Sequence, residues 1–115
     1  MKIYDYAHEL ARALKESEEV TQISEAMKLI EADVQSKEML ENFRIRQNEV
    51  QQKMMTGEMP DPEEMEKMEK QFEIISQNPH INKLFDAERR LSVIIQDVNK
   101  IITDSLAHIY GGEMQ

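Results

Sequence analysis

The sequence predicts an all-α fold, a bundle of about five helices with a long C-terminal helix, oligomerising through its long helices. Apolar residues recur on a three-four beat over most of the chain. Only three glycines and three prolines interrupt 115 residues rich in Glu, Lys, Gln, Met, Leu and Ala, the residues that helices favour. Aromatic residues, at 5%, are too few for the core of a sandwich or barrel. A single domain spanning 1–115 is expected, large enough to bury a core and small enough to gain stability from association.

Ile3, Tyr6, Ala7, Leu10 and Leu14 form the stripe of a first helix from about Ile3 to Lys15. Ser17 then caps a second. Its hydroxyl can accept from the unpaired amides of a new turn, Glu18 and Glu19 suit the positive end of the helix dipole, and Val20, Ile23, Met27 and Ile30 carry the apolar face to near Asp33. A break is expected between Asp33 and Ser36, either of which can cap the helix that follows. That third helix carries Met39, Leu40, Phe43, Val50 and Met54 and runs to Thr56, where Gly57 is able to take a positive φ.

The next start is the most sharply punctuated. Asp61 is a natural N-cap, Pro62 fits the first helical position and Glu64 can close a capping box. Met65, Met68, Phe72 and Ile75 make the fourth apolar stripe, ended by Asn78-Pro79, where Asn78 caps the last helix. From there to Tyr110 run Ile81, Leu84, Leu91, Ile95, Val98, Ile102 and Ile109, with Gly111-Gly112 expected to stop the helix and Glu113 to Gln115 expected to fray. The loop from Thr56 to Asp61 is long enough for an antiparallel hairpin of the third and fourth helices, whereas the short Asn78-Pro79 corner discourages a tight hairpin of the fourth and fifth.

At about 1.5 Å per residue the last helix reaches about 45 Å, longer than a chain of this size needs for its own core. Its apolar face therefore wants partners. The expected self-association seam comprises Met65, Met68, Phe72, Ile75, Leu84, Leu91, Ile95, Val98 and Ile102, although periodicity leaves open whether its covering comes from the same chain or from another. Nine methionines are the compositional oddity. Five of them, Met54, Met55, Met59, Met65 and Met68, crowd around the loop between the third and fourth helices, and Met55 and Met59, near the loop tip, are candidates for a forgiving docking patch.

A net charge of -9 repels a phosphate backbone, so direct nucleic-acid binding is not expected. Arg44 with Arg46 and Arg89 with Arg90 are flanked by acids and read as balanced helix faces. The chain has no cysteine, which excludes disulfides and thiolate metal sites within it. With no signal-peptide pattern and no membrane-spanning stretch, a cytoplasmic location without membrane attachment is expected.

Of the three histidines, only His8, three residues after Asp5, resembles half of a Glu-x-x-His metal motif. Gln77 and Ser105 stand in that place before His80 and His108. No serine sits in a nucleophile elbow, and the one Gly-Gly pair lies at the C-terminus, away from any phosphate loop. No catalytic, metal or cofactor-binding residue is nominated. The expected function is a non-catalytic interaction or adaptor module, not an enzyme, forming a homodimer or higher homo-oligomer and docking another protein. The alternative is a metal- or small-ligand-binding helical bundle enzyme.

The run from Gln77 to Leu91, QNPHINKLFDAERRL, followed by Ile94-Ile95-Gln96-Asp97-Val98-Asn99-Lys100-Ile101-Ile102, resembles the YlbF/YmcA family of small bacterial helical proteins, most closely its YheA branch. Phe43 to Gln47, and Met54 to Gly57 before the acidic loop, fit the same pattern. The resemblance implies an all-helical fold, homo-oligomers built through long helices and no known enzymatic activity. It also implies a regulatory role, since other branches act as adaptors that influence messenger-RNA processing by a membrane-anchored endoribonuclease, with effects on competence, biofilm formation and sporulation. Those branches are linked to iron-sulfur clusters held by cysteines, which this chain lacks.

Overall fold

The computed structural model describes residues 2–110, the side chain of Tyr110 excepted. The described residues form α1 (Lys2–Lys15), α2 (Glu18–Glu31), α3 (Val34–Met55), α4 (Pro62–Ile75) and α5 (Pro79–Asp104), followed by a 3-10 turn, Ala107–Tyr110. The fold is all-α, as the three-four periodicity requires. Ser17 does cap α2, accepting from the Val20 amide at 3.3 Å while its own proton goes to the Leu14 carbonyl at 2.7 Å. Asn78 caps α5, its Oδ1 accepting from the amides of His80 at 3.0 Å and Ile81 at 3.2 Å.

Two expected features are formed differently. Asp61 occupies the N-cap of α4 with an extended backbone, but its side chain makes no capping hydrogen bond. Glu64 does not close the box, because its carboxylate accepts from Lys53 Nζ of α3 at 2.5 Å. The last helix stops at Asp104 rather than running to Tyr110. There the Thr103 hydroxyl donates to the Lys100 carbonyl and the Ser105 hydroxyl to the Ile102 carbonyl, and the Leu106 and Ile109 amides turn to carbonyls three residues back. Hydroxyls that compete for backbone partners loosen an α-helix toward tighter 3-10 turns. The stop expected at Gly111-Gly112 and the fraying expected of Glu113 to Gln115 fall outside the described residues.

The chain divides into two compact units. One is Gln22–Phe85, and its core joins Ala26 and Ile30 of α2, Leu40 and Phe43 of α3, Ile75 of α4 and Ile81 and Leu84 of α5. Full burial of each larger aliphatic or aromatic side chain contributes about 1.5–3 kcal/mol. The pairing of α3 with α4 expected from the loop length is present. Gly57 makes the turn between them with φ at +86°, its amide bonding to the Met54 carbonyl. A Cβ built there meets nothing within 4 Å, so Gly57→Ala is expected to cost only backbone strain, about 1–2 kcal/mol, read as a lower urea midpoint with unchanged slope.

One buried polar chain crosses this unit. Ser36, fully buried, donates to Asp33 Oδ2 at 2.6 Å and accepts from Asn78 Nδ2 at 2.7 Å. The start of α3 is thereby tied to the cap of α5, forty-two residues away.

The other unit combines the chain up to Thr21 with the chain from Asp86 onward. Arg90 joins its parts, with Nη1 lying 3.7 Å from Glu19 and Nε 3.2 Å from Asp86. Burial is sparse here. α1 has no buried residue, and no residue of α5 beyond Ala87 is classed as buried.

Candidate interaction surfaces

The nine residues of the expected seam divide between the units. Within Gln22–Phe85, Ile75 and Leu84 are fully enclosed in the core of the single chain and have no surface to offer a second copy. Met68 packs half-buried against that core, whereas Met65 and Phe72 are exposed, Phe72 to 47%. In the other unit Leu91 and Val98 are half-buried, and Ile95 and Ile102 are 43% and 52% exposed. Met55 and Met59 are the most exposed large apolar residues of all those described, at 80% and 87%.

The unit that holds α1 and α5 from Asp86 onward presents more apolar surface than the seam alone. Ile3 and Tyr6 are two-thirds exposed and Leu10 is exposed on the same stripe. Their three-four spacing was visible from the start; missing was any signal that a whole helix would lack burial. A fourteen-residue helix without tertiary cover is marginal in water, so α1 needs a surface to lie on.

A second surface lies in Gln22–Phe85. The chain's three phenylalanines form one cluster there, with Phe72 stacked on Phe85 at 5.7 Å and Phe43 tilted against both at 5.9 and 5.8 Å. Arg44 lies over the Phe85 ring, its guanidinium carbon 5.7 Å from the centroid. Such contacts contribute about 0.5–1.5 kcal/mol each beyond area burial. Beside the cluster a cavity of about 480 Å³ opens between α3 and α4. Periodicity could not reveal it, because Phe43 comes from one helix and the other lining residues from the next.

The ion pair between α3 and α4, Lys53 with Glu64, is partly exposed on both sides. The hydrogen bond to Glu64, aided by the charges of Glu58 and Asp61, holds Lys53 above the ordinary lysine value of 10.5 against a smaller opposing effect of burial. Asp104, 2.8 Å from Lys100 Nζ, raises that lysine in the same way. A lysine pKa raised by folding means that the pair stabilises in full below the unfolded value and ceases to do so as pH climbs through the folded one. The difference in urea midpoint between wild type and Lys53→Met is therefore expected to stay constant from about pH 7 to pH 10.5 and to close above it.

Among the described residues no group of three or more histidines and carboxylates is placed to hold a metal ion. His8 and His108 fall in one unit and His80 in the other. No described helix is long and apolar enough to cross a membrane.

Comparison with known proteins gives a consistent result. A UPF0342 protein of Alkalihalophilus pseudofirmus is 52% identical over 109 residues, 95% of this chain and 92% of its own. A UPF0342 protein of Staphylococcus aureus is 38% identical over 110 residues, 96% of each chain. The solved structure of a protein of unknown function, DUF964, from Bacillus stearothermophilus matches with a TM-score of 0.88 and 25% identity, covering 99% of this chain and all of its own. That of yheA from Bacillus subtilis matches with a TM-score of 0.69 and 32% identity, covering 93% and 97%. None of these descriptions names an enzymatic activity. With residues 3–107 matched by the family described as control of competence regulator ComK, YlbF/YmcA, the chain belongs to that family of helical bacterial proteins.

Proposed function

We propose that the protein is a non-catalytic, cytoplasmic adaptor that self-associates through α1 and the second half of α5 and acts in regulation of the kind its family description names. The observation that carries this reading is the uncovered apolar surface of that unit. α1 has no buried residue, and Ile3, Tyr6 and Leu10 on it, like Ile95 and Ile102 on α5, remain open. Large apolar side chains offer on the order of 100 Å² apiece, so five on each of two copies reach on the order of 1,000 Å², the scale of a specific interface.

A second copy suits this surface because α1 mixes acids with bases, Asp5 and Glu9 against Lys2, Arg12 and Lys15, so that like faces meet without strong net repulsion. Of the expected seam, Leu91, Ile95, Val98 and Ile102 serve self-association in this reading. Met55 and Met59, on the other unit, are left for contact with a different protein. Sedimentation of the purified protein at micromolar concentration tests the proposal: a dimer or larger species that Ile95→Glu with Val98→Glu dissociates is expected, and a wild-type monomer overturns it.

A further inference from the structure

We infer that the groove between α3 and α4 is a docking site for a basic amphipathic helix of a partner protein, an inference that rests on the adaptor reading. The groove is lined by Phe43 from α3 and by Met65, Met68, Phe72, Glu69 and Glu73 from α4. Met65, Met68 and Phe72 recur at intervals of three and four, so they line one face of α4 over two helical turns, a length along which a partner helix can lay its own anchors. Methionine and phenylalanine walls adapt to the side chain that enters, and a cavity of about 480 Å³ holds one or two large ones.

Charge selects the occupant. Glu69 and Glu73 are exposed one helical turn apart, and among the described residues neither has an ion-pair partner. Their neighbours differ: Glu66 holds Lys70 at 3.2 Å and Glu64 holds Lys53 at 2.5 Å. Two like charges at this spacing repel each other. Covering them with a purely apolar helix would strip water from carboxylates left unpaired, and an acidic helix or a phosphate would add repulsion. Lysine or arginine flanking an apolar anchor relieves both penalties. The chain's own helices interleave acid with base throughout, so none presents the basic run that this rim selects.

The test uses the full chain, first sedimented to establish its oligomeric state. A fluorescein-labelled leucine-lysine peptide of about fourteen residues, with leucines on one face, is then titrated by anisotropy. Binding is expected to weaken about tenfold in Glu69→Gln with Glu73→Gln and to vanish in Glu69→Lys with Glu73→Lys, while Glu25→Gln with Glu38→Gln leaves it unchanged. Phe72→Ala is expected to weaken binding with little change in salt dependence, separating the anchor pocket from the acidic rim.

Equal weakening by the Glu25 and Glu38 substitutions would reduce the effect to general attraction toward an acidic protein and overturn the inference. Failure of the peptide to bind a wild-type protein that sediments as an oligomer would overturn it too, with the self-association proposal left standing. If Glu69→Lys with Glu73→Lys dissociates the oligomer in the absence of peptide, a second copy covers the groove, and the inference falls in that case as well.

Discussion

If the protein self-associates as proposed, replacing both Ile95 and Val98 with glutamate is expected to yield a folded monomer. The two residues lie three apart on α5, Ile95 exposed and Val98 half-buried in the single chain. Each contributes about 1 kcal/mol or more of apolar burial when covered, and a symmetric pair of chains counts every loss twice. Glutamate also places a carboxylate on an apolar stripe, at an effective desolvation cost of several kcal/mol per ion if it stays charged, buried and unpaired. A combined loss of about 4 kcal/mol or more corresponds to a dissociation constant raised about a thousandfold.

Sedimentation velocity across a concentration series reads the change. Circular dichroism distinguishes dissociation from unfolding, since the core built on Ile30, Ile75 and Ile81 belongs to the other unit. Gln96→Glu, one residue out of register with the stripe, is expected to leave the sedimentation coefficient unaltered. A double-glutamate variant that sediments like the wild type would place the interface elsewhere.

Loss of the Asn78 side chain is expected to produce the second large effect, a destabilisation of about 2–3 kcal/mol in Asn78→Ala. The residue does two jobs at once. Its oxygen accepts from the His80 and Ile81 amides, and removal of such a cap costs about 1 kcal/mol. Its amide donates to Ser36 Oγ, an oxygen sealed from water, so truncation leaves a buried acceptor short of a partner at about 1–3 kcal/mol. For a chain of this length the melting temperature is expected to fall by about 10 °C.

Asn78→Asp separates the two contributions. It retains the capping oxygen but removes the donor, and it brings a second carboxylate to a hydroxyl that already donates to Asp33. If capping alone mattered, that variant would be as stable as the wild type. Ser36→Ala combined with Asn78→Ala is expected to show a coupling of about 1 kcal/mol in a double-mutant cycle, and strict additivity would count against the buried chain of hydrogen bonds.

The helices were legible because their causes are local. Gly57 needs a positive φ that few other residues tolerate, Pro62 can sit only where no amide is required, and Ser17 and Asn78 carry their hydrogen-bonding groups beside the amides they cap. Where a neighbouring helix competed for the same group, local reasoning failed. Glu64 is suited to a capping box, yet the ammonium of Lys53 outbids the neutral amide for its carboxylate. The end of α5 was misplaced for a different reason: apolar Ile109 keeps the beat, while the hydroxyls of Thr103 and Ser105 draw on the carbonyls just before it.

The surfaces were less legible still. Ile75, Leu84, Ile95 and Ile102 all stand on three-four stripes, but the first two are enclosed and the last two are open. Glu69 and Glu73 resemble ordinary solvent-facing acids until Phe43, from another helix, stands beside them.

By itself the sequence determined the number and order of helices, the Ser17 and Asn78 caps and the apolar side of each helix, because backbone preferences and periodicity act over a few residues. Only the tertiary structure decided which apolar sides are enclosed, which carboxylates border a cavity and where hydroxyls such as Ser36 find partners. Those outcomes depend on residues far apart in the chain meeting in space, and a helical repeat records which side is apolar without recording what comes to cover it.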